Sequence, residues 1–406
     1  MVTATTTTAT TTNTINVASK IPDKIEATSV KSLIGGYTNL DIHFRKDQDV
    51  IDPKTGVLTV GPKEYEAANH PEWLPTWDPN EKYEPYSDDF NNSHVDRAHF
   101  ADSNLKNLFP EGGDYKIKKI SPKLGSEVRG IQLSQLTNEQ KDDLALLVAQ
   151  RGVVVFREQD LKDKGLEFNK KFGEHFGPLH IHPSSGAPEG YPEFHLTYRR
   201  KDPNEYEKVF KHNLSTKGWH SDVTYEKFPP SYTFFALLQG PETGGDTLFS
   251  DGIEAYRRLS PTFKKMIQGL KVTHSSIEQA AQSRAEGSIE RKTPSSNLHP
   301  LARIHPILKE KSLFISRAFI TKIDGLKSEE SKAILDLLTE HINNSVDLQI
   351  RASYEPGTVV VWDNRRVIHS ASFDWDEGDI RHCYRITPMA ERPVEEYEEL
   401  EEWNRR

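Results

Sequence analysis

The sequence predicts a mainly β fold of the α+β kind, a jelly roll with flanking helices. Three observations predict it. Short apolar segments separated by turn residues recur through the second half, a few longer segments carry helical spacing, and no internal repeat divides the chain. The first helix is EQKDDLALLVAQRG: Leu144, Leu147 and Val148 recur at helical spacing, Thr137 is the N-cap and Gly152 the stop. VVVF, Val153 to Phe156, follows as a buried strand, and LKDKGLEFNKKFG as a second helix ended by Gly173. SYTFFALLQ, TLFSD, SLFIS, LQIRASY, TVVVWD and DIRHCYRITP read as strands. SPTFKKMIQGL and SEESKAILDLLTEHI read as helices, the first capped by Ser260 with Pro261 in its first turn.

At 406 residues the chain allows one large domain or two ordinary ones. A hydrophobic content of 35% and a mean hydropathy of -0.68 are low for a wholly packed chain, so a polar segment lies outside the core. Residues 1–30 supply it, as a Thr-rich tail expected to be disordered. Residues 31–114 read as an extended Pro-rich arm whose Trp73, Trp77, Tyr83 and Tyr86 dock on the core. Residues 115–392 form the jelly-roll domain and 393–406 an acidic C-terminal tail.

A net charge of -9 offers no basic surface for nucleic acid or anionic lipid, and no apolar run reaches membrane-spanning length. One cysteine, Cys383, excludes an intramolecular disulfide and a cysteine-based zinc cage, which favours a reducing compartment. The opening residues have neither the charged and apolar regions of a secretory signal nor the arginines of a transit peptide, so the expected location is cytoplasmic. Self-association into a homo-oligomer stays open.

His220, Asp222 and His369 are the candidate metal ligands. In GWHSDVTY the first two stand two residues apart, and on a strand both side chains would leave the same face. His369 follows PGTVVVWDNRRVIH, a turn, a buried strand and a polar turn that would aim it inward. Two imidazoles and a carboxylate cap one face of an octahedral Fe(II), leaving three positions for a chelating cosubstrate and O2. With 16 histidines, chance pairs are expected. His180 and His182 also form a same-face pair and suggest a rival zinc site, although no carboxylate or cysteine stands at ligand spacing beside them. His299 and His305, flanked by prolines, read as turn or core histidines.

In DIRHCYRITP the period of two puts Arg381, Cys383 and Arg385 on one face. Two inward arginines are costly unless each meets an anion, and a guanidinium fork suits carboxylate or sulfonate oxygens. Thr247 in GGDTLFSD could share a carboxylate with an arginine, the Gly-Gly-Asp being a turn by itself. Cys383 reads as a small buried hydrophobe.

With these blocks in view, FGPLHIHP, WHSDVTY, GGDTLFSDGIEAYRRLSP, LHPLARIHP, VVWDNRRVIH and RHCYR, the chain resembles the taurine dioxygenase (TauD/TfdA) family of Fe(II)- and 2-oxoglutarate-dependent oxygenases, and within it the fungal sulfonate dioxygenases. The resemblance runs from about Ile117 to Ile386. It implies a double-stranded β-helix in which His220, Asp222 and His369 hold iron and Thr247 and Arg381 grip the distal carboxylate of 2-oxoglutarate. It also implies that Arg385, His182 and the Val223 N–H receive a substrate sulfonate while Phe319 lines the pocket. The amine end departs from the taurine enzymes: Ser185 stands where they carry a tyrosine, and Ser215, Thr216, Lys217 and Gly218 replace their amine-contacting asparagine. A sulfonate without that ammonium group, or with a bulkier body, fits these departures.

The implied reaction couples decarboxylation of 2-oxoglutarate to hydroxylation of the carbon bearing the sulfonate, whose product collapses to an aldehyde and sulfite, with ascorbate supporting the iron. Three alternatives stay open from sequence: the same chemistry on an alkyl sulfate ester or an aryloxyalkanoate, a non-catalytic binding protein on the same scaffold, and a zinc hydrolase built on His180 and His182.

Overall fold

Side chains alternate across a strand, so one sheet can serve two surroundings, and the principal sheet serves both. In the computed structural model it has seven strands in the order Lys116–Lys119, Ser126–Arg129, Val153–Phe156, Val359–Asp363, Tyr232–Gln239, Arg381–Ile386 and His195–Arg199. All neighbours are antiparallel except Ser126–Arg129 beside Val153–Phe156. One face, with Phe156, Phe234, Val361 and Tyr384, is covered by Leu144 and Val148 of helix Asn138–Arg151 and by Phe172 of helix Leu166–Glu174. The other face, with Val155, Phe235, Trp362 and Cys383, packs on Phe249, Ile350, Ala352 and Val367 of a three-stranded sheet. That sheet runs Gln349–Ala352, Thr247–Asp251, Val367–Ala371, all antiparallel. Two facing sheets with helices outside make the jelly roll that the strand pattern predicts, and every residue of the candidate metal group lies where the small sheet meets the large one.

The structure describes residues 49–86, 94–199, 210, 218–285, 289–375 and 379–404, all within the unit Tyr37–Arg406. The expected tail, residues 1–30, lies outside them, as do Ser215, Thr216 and Lys217. Thr137 caps its helix as expected, in a full capping box with Gln140, and Gly152 ends it at φ 69. Three expectations change. The second helix starts later, at Leu166 after a 3-10 turn at Leu161–Asp163, and runs through Gly173 to Glu174. Gly173 is a close-approach residue: a Cβ there would stand 2.5 Å from Ile386 Cδ1. The strand expected at SLFIS is Lys311–Leu313 and stops before Phe314. The acidic C-terminal segment carries a helix, Tyr397–Asn404, whose Leu400 packs with Ile304 and Val394. A third sheet, Ser296–Pro300, Lys271–Ser275 and Ile320–Ile323, escaped the sequence reading because polar residues and histidines blur its alternation.

The arm packs by its aromatics. Trp73 and Trp77 are fully buried. Trp73 stacks on Tyr384 with centroids 4.4 Å apart and meets the edge of Phe194 at 5.4 Å, while its carbonyl lies 3.3 Å from His382 Nε2. The Tyr86 hydroxyl donates to the Leu179 carbonyl at 2.9 Å, and Tyr83 is half-buried. An indole this enclosed contributes through area and contact together, so Trp73→Ala is expected to cost about 3–5 kcal/mol. Urea unfolding measures it; a loss below about 1 kcal/mol would show that the arm adds little to the stability of the roll.

Candidate active site

The two histidines meet through their backbones. His220 N–H donates to the His369 carbonyl at 2.9 Å and His369 N–H returns to His220 at 2.7 Å, an isolated antiparallel bridge that joins the incoming loop to strand Val367–Ala371. The rings stand side by side, centroids 4.3 Å apart. His220 Nδ1 donates to the Gly218 carbonyl at 2.5 Å, which leaves Nε2 with its lone pair. The strand expected for GWHSDVTY is only that bridge. Asp222 already lies in a turn, and the turn that follows, Val223 to Glu226, is closed by Glu226 N–H on the Val223 carbonyl at 3.0 Å. Val223 takes φ 40, a left-handed conformation that is strained for a β-branched residue, in the position directly after a candidate ligand.

His220, Asp222 and His369 offer ligand atoms within 4.8 Å of one another. Asp222 Oδ1 is 4.0 Å from His220 Nε2 and 3.7 Å from His369 Nε2. A cation about 2.1 Å from each ligand spans pairs roughly 3 to 4.2 Å apart, so these atoms fit a shared ion. Protonation suits it too. Burial, then the neighbouring His220, depress the His369 imidazole to about 3, which keeps it neutral. Burial opposes the Asp222 charge, but the Arg385 guanidinium, with the Thr233 hydroxyl, holds the carboxyl well below its ordinary range.

The other carboxylate oxygen is held by protein. Thr233 Oγ1 donates to Asp222 Oδ2 at 2.6 Å, Asn364 Nδ2 donates to Thr233 at 2.9 Å, and Asn364 Oδ1 accepts from Asp222 N–H and Trp362 Nε1, each at 3.1 Å. Asn364 in turn sits in a locked turn: Arg365 beside it pairs with Asp363 at 2.7 Å and with Asp96, and its side chain has no exposure. The polar DNRR turn of the sequence is therefore buried.

Arg381 and Arg385 share the inward face with Cys383 between them, and the two arginines differ in their partners. Arg381 donates to the Gly245 carbonyl at 2.8 Å and otherwise meets the rings of Tyr354, Phe235 and Trp375 at 5.4, 5.6 and 5.7 Å. Among the described residues no carboxylate pairs with it. Thr247 stands beside this group, its hydroxyl 2.8 Å from the Tyr354 hydroxyl. Gly245 does more than turn the chain: its φ is 68 and a Cβ would stand 2.7 Å from Arg381 Nε. Arg385 Nη1 donates to Asp222 Oδ1 at 2.5 Å, while its Nε is buried without a hydrogen-bond partner among the described residues. Burial pushes the Cys383 thiol up to about 11, so it is an unreactive core side chain.

Over residues 116–387 the sequence matches the family described as Taurine catabolism dioxygenase TauD, TfdA family. The chain belongs to that family. It is 49% identical over 390 residues to the alpha-ketoglutarate-dependent sulfonate dioxygenase of Saccharomyces cerevisiae, a match covering 95% of this chain and 94% of the yeast protein. It is 40% identical over 349 residues to the alpha-ketoglutarate-dependent dioxygenase cnsP of Penicillium expansum, covering 85% and 92%. A crystal structure of a taurine dioxygenase from Burkholderia xenovorans superposes with a TM-score of 0.56 at 28% identity, over 69% of this chain and 93% of its own. The chain is thus a TauD-family dioxygenase, whose activity depends on 2-oxoglutarate, O2 and iron.

Other residues singled out in the sequence surround this TauD-family centre. Phe319 meets His220 edge-on at 6.0 Å and Tyr225 at 5.0 Å, and its carbonyl accepts from Ser275 N–H. His182 is buried, and its Nδ1 accepts from Ser185 N–H at 3.1 Å and Ser184 N–H at 3.3 Å, so its proton sits on Nε2. Its ring packs 4.5 Å from His195, whose backbone pairs directly with Arg385. Directly opposed residues share a sheet face, which brings His182, His195 and Arg385 to one wall. Ser185 hydrogen-bonds His195 Nδ1 at 2.8 Å.

The zinc alternative loses its ligand pair. His180 Nε2 lies 2.9 Å from Glu226 Oε1, a carboxylate that the sequence reading did not bring near, and Lys292 Nζ donates to the same oxygen at 2.7 Å. An ammonium already occupies the cation position, and His182 is oriented by other partners. His299 Nε2 contacts the Glu226 carbonyl and His305 Nε2 the Asp363 carboxylate, both as core histidines.

Tyr354, Thr233 and Asn364 escaped the sequence reading. The signal for two of them was present: Tyr354 continues the inward face of Ile350 and Ala352, and Thr233 that of Phe235 and Leu237. Asn364 had none beyond its turn. Thr233→Val keeps the shape and removes the bond that orients Asp222, so affinity for Mn(II) or Co(II) is expected to fall about 10- to 100-fold. Anaerobic titration calorimetry reads this; unchanged affinity at an unchanged melting temperature would remove Thr233 from the metal-supporting shell.

Proposed function

We propose that the protein is an Fe(II)- and 2-oxoglutarate-dependent dioxygenase acting on organosulfonates, a reading carried chiefly by Arg385. This arginine is half-buried on the face shared with Arg381, lies against Asp222, and keeps a buried Nε donor without a partner among the described residues. His220, Asp222 and His369 hold iron, which with 2-oxoglutarate and O2 supplies the power to oxidise an unactivated C–H bond. Arg381 and Thr247 receive the distal carboxylate of 2-oxoglutarate, with Tyr354 orienting Thr247. Arg385, His182 and the Val223 N–H receive the sulfonate, and Phe319 bounds the carbon chain. Placement is the protein's share of the catalysis: two anions fixed at opposite ends bring one C–H bond to the reacting centre.

The balance is simple. 2-Oxoglutarate, O2 and R–CH2–SO3⁻ give succinate, CO2 and R–CH(OH)–SO3⁻; breaking the C–S bond of that hydroxysulfonate, with loss of the hydroxyl proton, releases the aldehyde and hydrogen sulfite. The buried thiol and the single cysteine fit a cytoplasmic setting, and ascorbate belongs in the assay to keep iron ferrous. Ser185 and His195 form the wall where the taurine enzymes carry a tyrosine, so the preferred sulfonate lacks an ammonium group beside the reacting carbon.

Purified protein with Fe(II), ascorbate and 2-oxoglutarate is expected to release sulfite from alkylsulfonates faster than from taurine. Release of sulfate from an alkyl sulfate, or of a phenol from an aryloxyalkanoate, with no sulfite from any sulfonate, would replace this reading. The two arginines provide a second test. Arg385→Gln is expected to raise the KM for sulfonate about 10- to 100-fold with the KM for 2-oxoglutarate little changed, and Arg381→Gln the reverse. If both variants affect both constants alike, the separate assignments fail.

A further inference from the structure

The segment 179–187 that carries His182 has no regular secondary structure beyond isolated bridges at Leu179 and Ala187, so its course is set by what it touches. On one side it touches the arm. Thr76 N–H donates to the Ala187 carbonyl at 2.8 Å and Ala187 N–H returns at 3.1 Å. The Tyr86 hydroxyl donates to the Leu179 carbonyl at 2.9 Å and accepts from Ile181 N–H at 3.1 Å, bracketing His180. Gly186 lies so close that a Cβ would stand 2.7 Å from both Pro75 Cβ and Trp77 Cε2.

On its other side the segment meets Arg291, whose N–H donates to the Pro183 carbonyl at 2.7 Å and whose Nη2 donates to the His182 carbonyl at 3.3 Å. That partner is itself pinned by the arm: Tyr83 N–H donates to the Arg291 carbonyl at 2.8 Å, Glu81 lies 3.5 Å from the Arg291 guanidinium, and Lys292 sits over the Tyr86 ring at 4.4 Å. The roll holds one end of the segment, through His180 N–H on the Thr387 carbonyl at 2.9 Å and the Leu179–Pro388 bridge, while from Ile181 to Ala187 both walls also rest on the arm. Within it, two backbone N–H groups aim the His182 ring, so ring orientation follows backbone position. Metal and 2-oxoglutarate residues sit on strands and a turn that the Pro75–Trp77 and Tyr86 contacts do not involve.

The arm precedes the family-matched residues 116–387, yet the match to the yeast sulfonate dioxygenase covers 95% of this chain, a share too large to omit it. We propose that Pro75, Trp77 and Tyr86 are positioning residues for the substrate anion, acting through the 179–187 segment on His182. This rests on the sulfonate reading above. The arm thereby sets how tightly substrate is held and leaves the iron and cosubstrate end alone.

The test uses full-length protein with Tyr86→Phe, which removes the hydroxyl bracket, and Gly186→Ala, which wedges the segment from the arm. With the best alkylsulfonate of the wild-type panel, KM for sulfonate is expected to rise about three- to tenfold in Tyr86→Phe and further in Gly186→Ala. Sulfite formed per succinate should fall, while the KM for 2-oxoglutarate and sulfonate-independent succinate formation stay at wild-type values. A merely structural strut would instead lower all activities together with melting temperature, and that result overturns the proposal. Unmoved sulfonate KM in both variants, with wild-type sulfite release intact, overturns the positioning role alone. Wild-type protein that releases no sulfite from any sulfonate overturns the functional reading and this inference with it.

Discussion

The reciprocal backbone bonds between His220 and His369 are the constraint on which the site depends. In a hydrogen-bonded antiparallel pair the Cα atoms stand about 5.5 Å apart with side chains on one face, so pairing these two backbones places two imidazoles side by side without further instruction. The bridge also ends extended pairing at once. The chain turns through Asp222 and the left-handed Val223, which brings the carboxylate back toward the rings instead of letting it continue along a strand. A regular strand would have given a same-face pair; the turn gives a three-sided group.

Holding that group requires burying charge, and the protein does so by arranging charges in chains. Asp222 faces Arg385 with one oxygen and Thr233 with the other, and Thr233 leads through Asn364 to Trp362. Asn364 stands between Asp363 and Arg365, whose ion pair extends to Asp96 and to Glu391 at 3.4 Å, while the buried His305 meets Asp363 at 3.1 Å. Removing one member of a buried pair costs about 3–5 kcal/mol, so this network is rigid in the sense that matters for a metal site: no partner can swing out without stranding another. The same logic separates the two inward arginines. Arg385 has a protein carboxylate, whereas Arg381 has only a carbonyl and aromatic faces among the described residues, a setting that favours an incoming carboxylate.

Much of this was legible in the chain because periodicity and chemistry agreed. TVVVWD and SYTFFALLQ read as strands because burial on both faces makes continuous apolar runs, and Thr137 with Gly152 delimited a helix by capping chemistry alone. The placement of Arg381, Cys383 and Arg385 on one face followed from a period of two. What failed to show was anything set by tertiary contact. Gly173 read as a helix stop because glycine is a common one, yet its reason is Ile386, more than two hundred residues away in sequence. DNRR read as a polar turn because four polar residues in a row usually meet water; here each has a buried partner. Glu226 gave no hint that it would meet His180 and Lys292, since nothing local joins them.

The residues of the site fall into two mechanical classes, which differ in what fixes their position. His369, Thr247, Arg381 and Arg385 sit on strands whose side-chain directions are fixed by ladders, on both sides for Thr247 and Arg385 and on one side for Arg381 and for His369, whose other edge is closed by the bridge to His220. His182, Val223 and Phe319 sit in turns or at element ends, where backbone position depends on neighbouring segments. A strand residue moves only if the sheet moves, so His369, Thr247 and Arg381 tolerate little change, whereas His220 and Asp222 lie off the strands and are held by the bridge to His369 and by Thr233 and Asn364. A loop residue moves with its supports, and for His182 those supports include Thr76, Trp77 and Tyr86, outside the roll itself. Adding an arm that packs by two buried tryptophans is then a way to reposition the loop carrying His182 without disturbing the sheets, because its contacts fall on the covered outer face and on the loop while the inward face keeps its alternation.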